Sequence, residues 1–312
     1  MSSTENKFMK INSVSELHKL MGIPKPKHPL VSLINYSDVH SYAIENSVKV
    51  ILNFYMVSIK HNADCKFSYG QNYYDFDEGV LAFMEPGQIA STTQSENAQS
   101  DGWLLVFHPD LIRNYSIGKN IKNYGFFSYA VNEALHLSET EEAMIEEIFK
   151  NIEKEYNHSI DQFSQDVMVS QIELLLNYSN RFYNRQFITR KTASSDLLTK
   201  METLLDEYFE SDKIIEYGLP TVQFFAEKLN LSPNYLSDML RVITGQSTQQ
   251  HIHNKLIEKA KEALSTTNLS VSEIAYQLGF EHPQSFSKLF KTKMNVSPLE
   301  YRASFSLSAD CT

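Results

Sequence analysis

The chain has 312 residues, a net charge of -10, 42% apolar residues and 21% charged residues. This length is typical of two domains, and the composition excludes both a disordered polyampholyte and a membrane protein. Because Met1 to Asn12 is polar and two cysteines cannot build a disulfide framework, the sequence predicts a cytoplasmic protein that is stabilised by burial.

The negative charge is concentrated in the first two thirds of the chain. Residues 1–217 hold 19 Lys and Arg against 30 Asp and Glu, whereas residues 218–305 hold 9 against 7. Nucleic acid needs cations that neutralise phosphates, so only the last third has a charge balance that suits DNA. Since the excess there is small, the positions of the cations matter more than their number.

Short β-rich segments with period-two alternation lie between Leu30 and His108. Turn sequences such as Asp77-Glu78-Gly79 and Glu85-Pro86-Gly87 separate them, so this region predicts a small antiparallel barrel or sandwich. Inward-facing aromatic side chains, with Phe54 and Trp103 as the candidate wall, would enclose a small-molecule effector. The predicted strands are Leu30 to Tyr36, Val48 to Lys60, Lys66 to Phe76, Val80 to Met84 and Trp103 to Phe107.

Two amphipathic helices are predicted after the strands. Ser138 and Glu141 form a capping box that opens the first helix, and the second runs from Ser159 to Asn184. The second helix has two apolar stripes, so it should be covered on two sides. One stripe contains Phe163, Val167, Ser170, Leu174, Tyr178 and Phe182, and the other contains Met168, Ile172, Leu175 and Leu176. We expect the latter to mediate homodimerisation; the alternative is a helix wholly buried in its own domain.

A run of small polar residues, Thr192-Ala193-Ser194-Ser195, interrupts the periodic segments. Such stretches are typical of connections between domains. The sequence therefore predicts a first domain over 1–191, a linker over 192–196 and a second domain over 197–312.

The C-terminal region contains an internal repeat. Asn230 and Gly279 are residue types that tolerate a left-handed backbone, and they occupy the same place in each copy, where one helix must end before the next begins. Each copy therefore predicts a helix-turn-helix unit, Thr221 to Leu229 with Pro233 to Ile243 and Val271 to Leu278 with Pro283 to Thr292. The matching residues are Ala226, Leu229 and Asn230 with Ala275, Leu278 and Gly279 at an offset of 49, and Pro233, Leu236, Ser237 and Arg241 with Pro283, Phe286, Ser287 and Lys291 at an offset of 50.

The second helix of each copy has an apolar face for the core and a polar face that suits DNA. Amides recognise adenine, lysine recognises guanine, a carboxylate accepts from cytosine N4, and cations bind phosphate. Asp238 either reads a cytosine or pairs with Arg241, three residues further on. Ser247 to Leu264 is helical in period and would span about 27 Å, which suits two reading helices roughly 34 Å apart, one DNA turn. The candidate DNA-binding residues are Asn234, Ser237, Asp238 and Arg241 in one copy and Gln284, Ser287, Lys288 and Lys291 in the other.

These motifs resemble the signature of AraC/XylS-type transcription regulators. The resemblance covers about 85 residues and is carried by Ser272 to Phe280, Phe286 to Lys291 and Val296 to Arg302, with Leu231 to Ser237 in the first copy. It implies that the candidate residues face the bases. Two departures weaken phosphate binding, namely Asp238 where a basic or neutral residue is common and Gln249 to Asn254 in place of an often Arg-rich stretch. A looser resemblance, resting on strand order and Glu85-Pro86-Gly87-Gln88, relates the first half to the cupin-type sensor domain of the same family.

Catalytic chemistry has little support in the sequence. The barrel region lacks the His-x-His pattern of a metal-dependent cupin, and His28, His40, His61 and His108 are isolated there. No phosphate-binding loop or nucleophile elbow occurs. We therefore expect no enzymatic activity, no cofactor and no metal.

The sequence as a whole predicts an α+β protein, with an N-terminal cupin-like antiparallel β-barrel and helical dimerisation element followed by an all-α domain of two helix-turn-helix units. The predicted function is sequence-specific transcription regulation, modulated by an effector through dimer geometry. The expected partners are double-stranded DNA, an unknown small-molecule effector and a second copy of the chain, with RNA polymerase as a further candidate and no membrane. The alternatives are a metal-dependent cupin enzyme fused to a DNA-binding module and a ligand-independent dimeric regulator.

Overall fold

The computed structural model describes residues 8–39, 49–61, 67–69, 72–74, 79–90, 101–130, 133–189 and 191–309. The chain divides into two compact units, an N-terminal unit Met1–Gln186 and a C-terminal unit Phe187–Thr312. No helix in the described ranges is long and apolar enough to cross a membrane. The mixture of a sheet-containing first unit and a helical second unit agrees with the predicted fold class.

The described strands of the N-terminal unit form open sheets. The five-stranded sheet has the order β10-β7-β4-β9-β2, a second sheet has the order β1-β3-β8, and β5 pairs with β6 alone. Because β10 and β2 lie at opposite edges of the largest sheet, the predicted cupin-like barrel is not confirmed. The strands are β1 Phe8–Ile11, β2 Val31–Asn35, β3 Lys49–Leu52, β4 Tyr55–His61, β5 Phe67–Tyr69, β6 Asn72–Tyr74, β7 Val80–Met84, β8 Ile89–Ala90, β9 Asp101–Phe107 and β10 Leu135–His136.

One predicted strand, Val48 to Lys60, is divided between two sheets. The chain leaves the smaller sheet after Leu52 and enters the five-stranded sheet at Tyr55. Phe54 lies in the bend, where it is fully buried among side chains of α1 and β9 such as Val14 and Leu104. The apolar run therefore continues across the break, because the bend itself is part of the core.

The central strand β4 pairs with β7 on one side and β9 on the other, which defines two faces of the sheet. The first face buries Val57, Ile59, Leu81 and Leu105. The second face carries Met56, Ser58 and Lys60 of β4 beside Met84, Ala82 and Val80 of β7, which pair with them in that order. This alternation follows from the pleat, since successive side chains point to opposite faces.

The helices of the N-terminal unit include the two that the sequence predicts. Ser138 and Glu141 form the expected capping box at the start of α4. Helix α5 begins at Ser164 rather than Ser159, because the Asp161 carboxylate accepts hydrogen bonds from the backbone N–H groups of Phe163 and Ser164. The helices are α1 Val14–Leu20, α2 Pro109–Ile112, α3 Ser116–Asn120, α4 Glu139–Asn157 and α5 Ser164–Thr189, with 3-10 turns at Tyr36–Asp38, Ile121–Asn123 and Gly125–Ser128.

The structure buries the apolar stripe of α5 that was expected at a dimer surface, and it exposes part of the other stripe. Residues proposed for dimerisation are in the core of the N-terminal unit and at most 5% exposed: Met168, Ile172, Leu175 and Leu176. In contrast Phe163, Val167 and Leu174 are 60%, 41% and 42% exposed. The assignment of the first four to a dimer surface is therefore corrected. Periodicity reveals two apolar stripes, but it does not say which of them the sheet covers.

The C-terminal unit is helical throughout its described part. The segment 192–196, predicted as a linker, lies inside helix α6, because Leu197, Met201 and Leu205 bury one stripe of that helix and the small residues before them extend it. The helices are α6 Lys191–Glu210, α7 Lys213–Tyr217, α8 Val222–Leu229, α9 Pro233–Thr244, α10 Thr248–Thr266, α11 Val271–Gln277, α12 Pro283–Met294 and α13 Pro298–Ala309. Helices α8 and α9 form the first helix-turn-helix unit, and α11 and α12 form the second.

Candidate nucleic-acid interface

The first helix-turn-helix unit is set by its caps. The Thr221 hydroxyl accepts the Phe224 N–H at 3.1 Å and opens α8, and Asn230 ends that helix in the left-handed region at φ 56°. Ser232 then caps α9 by accepting the Tyr235 N–H at 3.3 Å, with Pro233 in the first turn. Together these residues fix the turn between α8 and α9, as the sequence predicts.

The second unit repeats this arrangement with different residues. Ser270 and Glu273 form a capping box at the start of α11. The two hydrogen bonds to Ser270 lower the pKa of the Glu273 carboxyl, which keeps it ionised at the helix N-terminus. Gly279 takes the left-handed position at φ 81°, and Pro283 begins α12.

The turn of the second unit lies directly against the loop before the first unit. A Cβ atom at Gly279 would come within 2.9 Å of the Gly218 carbonyl carbon and the Ile214 carbonyl oxygen. Gly218 is also left-handed, at φ 76°, and its own carbonyl accepts the Tyr208 hydroxyl at 2.9 Å. The repeat predicts that Gly279 is a turn residue, whereas local sequence carries no signal for its contact with Gly218 and Ile214.

The polar face of α9 is partly used inside the protein. Asn234 is exposed, but the Ser237 hydroxyl donates to Thr248 Oγ1 of α10 at 3.1 Å. Arg241 Nη1 donates to Asp238 Oδ1 at 2.5 Å, so this cation and this carboxylate neutralise each other. Of the two readings of Asp238, the structure of the free chain contains the pair with Arg241.

The polar face of α12 is open by comparison. Gln284, Lys288 and Lys291 are exposed and Ser287 is half-buried. Neither lysine forms an ion pair with a carboxylate among the described residues. Buried Phe286 and Phe290 hold the opposite side of the helix in the core. The second unit therefore presents two cations and an amide, all on one side.

The connecting helix α10 contains two histidines, His251 and His253, that have different partners. His251 Nε2 is 2.9 Å from Thr244 Oγ1, and His253 Nε2 is 2.9 Å from Gln249 Nε2. Burial lowers the pKa of both imidazoles, and the nearby Lys293 ammonium lowers the pKa of His253 further. Both therefore serve as neutral hydrogen-bonding groups at the base of the first unit.

The N-terminal unit has a cavity of about 320 Å³ on the second face of its five-stranded sheet. Neither residue proposed as its wall lines it. Phe54 belongs to the core around α1, and Trp103 lies opposite Ile59 on the first face of the sheet. The lining residues are Tyr36, Met56, Ser58, Lys60, Ala82, Phe83, Met84, Phe126, Tyr129, Ala130, Ala134 and Tyr183. Sequence analysis missed this set because an apolar residue on a strand can line a core or a cavity equally well.

Comparison with known proteins places the two units of α8 to α12 in a known class. Residues 225–304 match the family model described as a helix-turn-helix domain. The raffinose operon transcriptional regulatory protein RafR of Pediococcus pentosaceus is 36% identical over 87 residues, which are 28% of this chain and 31% of that protein. A histidine kinase P4 of Formosa agariphila is 27% identical over 143 residues, 43% of this chain and 10% of that protein.

Among solved structures, the C-terminal domain of the response regulator yesN from Fusobacterium nucleatum is 33% identical, with a TM-score of 0.31, over 34% of this chain and 98% of that domain. The matched segments span less than a third of the two curated relatives. The C-terminal unit is thus a double helix-turn-helix domain. It is of the AraC/XylS type, as the signature residues predict.

Proposed function

We propose that the protein is a sequence-specific transcription regulator that binds double-stranded DNA through α9 and α12. The observation that carries this proposal is the exposed polar face of α12 on a helix-turn-helix domain, where Lys288 and Lys291 form no salt bridge with a carboxylate of the described residues. Helix α10 has 19 residues and spans about 28 Å, which suits reading helices in successive turns of one major groove. RafR, which is similar over 87 residues, is named a transcriptional regulatory protein, and this supports the same function.

The residues divide into base readers and phosphate binders. Gln284 and Asn234 each offer an amide whose oxygen accepts from adenine N6 and whose NH2 group donates to adenine N7. Lys288 offers a donor for guanine O6 or N7. Ser287 contributes a hydroxyl to either, and Lys291 lies in the last turn, where a cation meets phosphate. In the first unit, Arg241 reaches phosphate after it leaves Asp238, and Ser237 supports the helix through Thr248.

Selection of binding sites from randomised duplex DNA tests the proposal. We expect the full-length protein to select one sequence with two half-sites about one helical turn apart. The double variant Lys288→Ala/Gln284→Ala should lose the preference in one half-site while the other half-site keeps its sequence. Recovery of unselected sequences by the parent protein would contradict the proposal.

A second copy of the chain supplies the phosphate contacts that one subunit lacks. The exposed stripe of α5 is the surface that fits this role, because Phe163, Val167 and Leu174 recur at spacings of four and seven residues on one side of the helix. Val167→Lys/Leu174→Lys should give a folded monomer in sedimentation velocity. The matched control is Met144→Lys on α4, also exposed at 49%, which should remain dimeric. A double variant that stays dimeric would exclude this surface.

The N-terminal unit senses a small molecule in the cavity of the five-stranded sheet. A volume of about 320 Å³ is within the range of small-ligand sites. The competing enzymatic function needs a metal, so metal analysis of the purified protein tests it. In vitro transcription with RNA polymerase, with and without a bound effector, distinguishes a sensor from a ligand-independent regulator.

A further inference from the structure

The cavity of the N-terminal unit has an uneven distribution of charge. Lys60 is the charged residue of its described lining. Its Nζ atom lies 5.3 Å from the centre of the Tyr36 ring, and the side chain forms no ion pair with a carboxylate of the described residues. A single ammonium group beside a cavity attracts an anion, because no fixed negative charge in the described lining compensates it.

The backbone around Lys60 leaves its ammonium group accessible from the sheet. Lys60 pairs with Gly102 of β9, and this glycine has a positive φ of 128° and no side chain that could cover its neighbour. Two residues earlier in β4, on the same face of the sheet, Ser58 Oγ lies 2.8 Å from the Tyr36 hydroxyl. A cation and two hydroxyl groups therefore lie at the same end of the cavity.

The rest of the described lining is mostly apolar, apart from the hydroxyl groups of Tyr129 and Tyr183. Met56 and Met84 are cross-strand partners, and Ala82, Phe126 and Ala134 add further apolar side chains. Thioether side chains adapt to ligands of irregular shape, whereas the aromatic ring provides a flat surface. The thioethers and aromatic rings therefore suit a ligand with an apolar body.

We infer that the cavity binds a small organic anion with an apolar body, which rests on the proposed sensing function. The carboxylate or equivalent group binds the Lys60 ammonium and accepts a hydrogen bond from the Tyr36–Ser58 pair. The apolar body lies against Met56, Met84 and Phe126. Charge selects the class of effector, and the thioethers tolerate variation in its body.

Calorimetry with matched acids and amides tests this inference. The probes are 4-phenylbutyrate, octanoate and indole-3-acetate, each beside its primary amide, and the protein is the full-length chain. At least one acid should bind, and its primary amide should bind about tenfold more weakly, because only the acid forms a charge-assisted hydrogen bond. Lys60→Gln should remove that tenfold difference. Lys10→Gln, an exposed lysine of β1 outside the lining, is the control and should leave it unchanged.

Two outcomes would overturn the inference, and they have different consequences for the proposed sensor. Equal binding of acids and amides, abolished by Ala82→Phe, would retain the cavity as a sensing site and exclude charge as its basis of selection. Failure of every acid and amide to bind would remove both the anion and the sensing role of the cavity. In either case DNA selection by the C-terminal unit is measured separately, so the proposed regulator is tested on its own.

Discussion

The two helix-turn-helix units place equivalent residues at equivalent positions, but those residues have different partners. Ser237 and Ser287 are fifty positions apart, and only Ser237 has a hydrogen bond to a neighbouring helix among the contacts of the described residues. Asp238 forms a salt bridge with Arg241, whereas Lys288 and Lys291 at the corresponding positions form no salt bridge with a carboxylate of the described residues. Duplication of a fold therefore does not duplicate its chemistry. We therefore expect the first helix-turn-helix unit to contribute stability and position and the second to contribute affinity for DNA.

The largest expected effect comes from the contact between Gly279, in the turn of the second helix-turn-helix unit, and Gly218 and Ile214, which precede the first unit. Gly279→Ala places a Cβ atom within 2.9 Å of Gly218 and Ile214 and forces alanine into a left-handed backbone. We expect a loss of about 3 kcal/mol in the free energy of unfolding, from strain and the clash together. Gly245→Ala is the matched control, because Gly245 has a similar φ of 77° but open space around it.

Gly245→Ala should lower the free energy of unfolding by only about 1 kcal/mol, which is the cost of the left-handed backbone by itself. Urea titration of both variants measures the difference. Equal losses in the two variants would mean that the Gly218–Gly279 contact contributes nothing beyond backbone conformation.

The next effect concerns affinity for DNA. Lys288→Ala should weaken binding to the preferred site by about 1–3 kcal/mol, the range of a specific base contact. Lys291→Ala should instead weaken all sequences alike and reduce the salt dependence by about one phosphate contact. Arg241→Ala, the corresponding change in the first unit, should have a smaller effect than Lys291→Ala because Asp238 already neutralises Arg241. Electrophoretic mobility shifts at several salt concentrations measure the DNA affinity of all three variants. Equal dependence of affinity on salt in Arg241→Ala and Lys291→Ala would contradict the expected difference between the two helix-turn-helix units.

The parts of this domain that sequence predicts well are determined locally. The hydroxyls of Thr221, Ser232 and Ser270 and the left-handed Asn230 and Gly279 act within a few residues of themselves, so their types reveal the turns. The resemblance to AraC/XylS-type regulators adds the function of the motif. What local sequence does not contain is the partner of each polar side chain, such as Thr248 for Ser237.

The N-terminal unit shows the same limit more strongly. The two stripes of α5 are both apolar, and only the packed sheet decides that Leu175 and Leu176 are buried while Val167 and Leu174 are exposed. Phe54 was a reasonable cavity residue by type, yet it lies in a separate core. The capping box of α4, which depends on neighbours in sequence, was predicted correctly.

Ser237 and Ser287 occupy the same position in the two helix-turn-helix units, so their substitution compares the units at a single hydroxyl group. Ser237→Ala should lower the free energy of unfolding by about 1 kcal/mol, because the Thr248 hydroxyl is fully buried and loses its partner. Ser287→Ala should leave stability unchanged and alter base preference in the half-site of α12. Thermal unfolding and site selection on both variants distinguish the two roles. A change of base preference with Ser237→Ala, or a loss of stability with Ser287→Ala, would reverse the assignment.

The smallest expected effect is the one that decides what Asp238 does. The ion pair with Arg241 is partly exposed, so it contributes at most about 1 kcal/mol to stability, and Asp238→Asn should leave the unfolding transition nearly unchanged. The same change releases Arg241 for phosphate and removes a negative charge near the DNA, so affinity should rise for every sequence without a shift in base preference. Asp238→Ala/Arg241→Ala is the control, since it removes the carboxylate and the released cation together and should lose that gain in affinity.

If Asp238 instead accepted a hydrogen bond from cytosine N4, Asp238→Asn would relax selection at one base pair by about 1–3 kcal/mol. Site selection from randomised DNA separates these outcomes, because a neutralised carboxylate alters only the strength of binding whereas a lost reader alters the selected sequence.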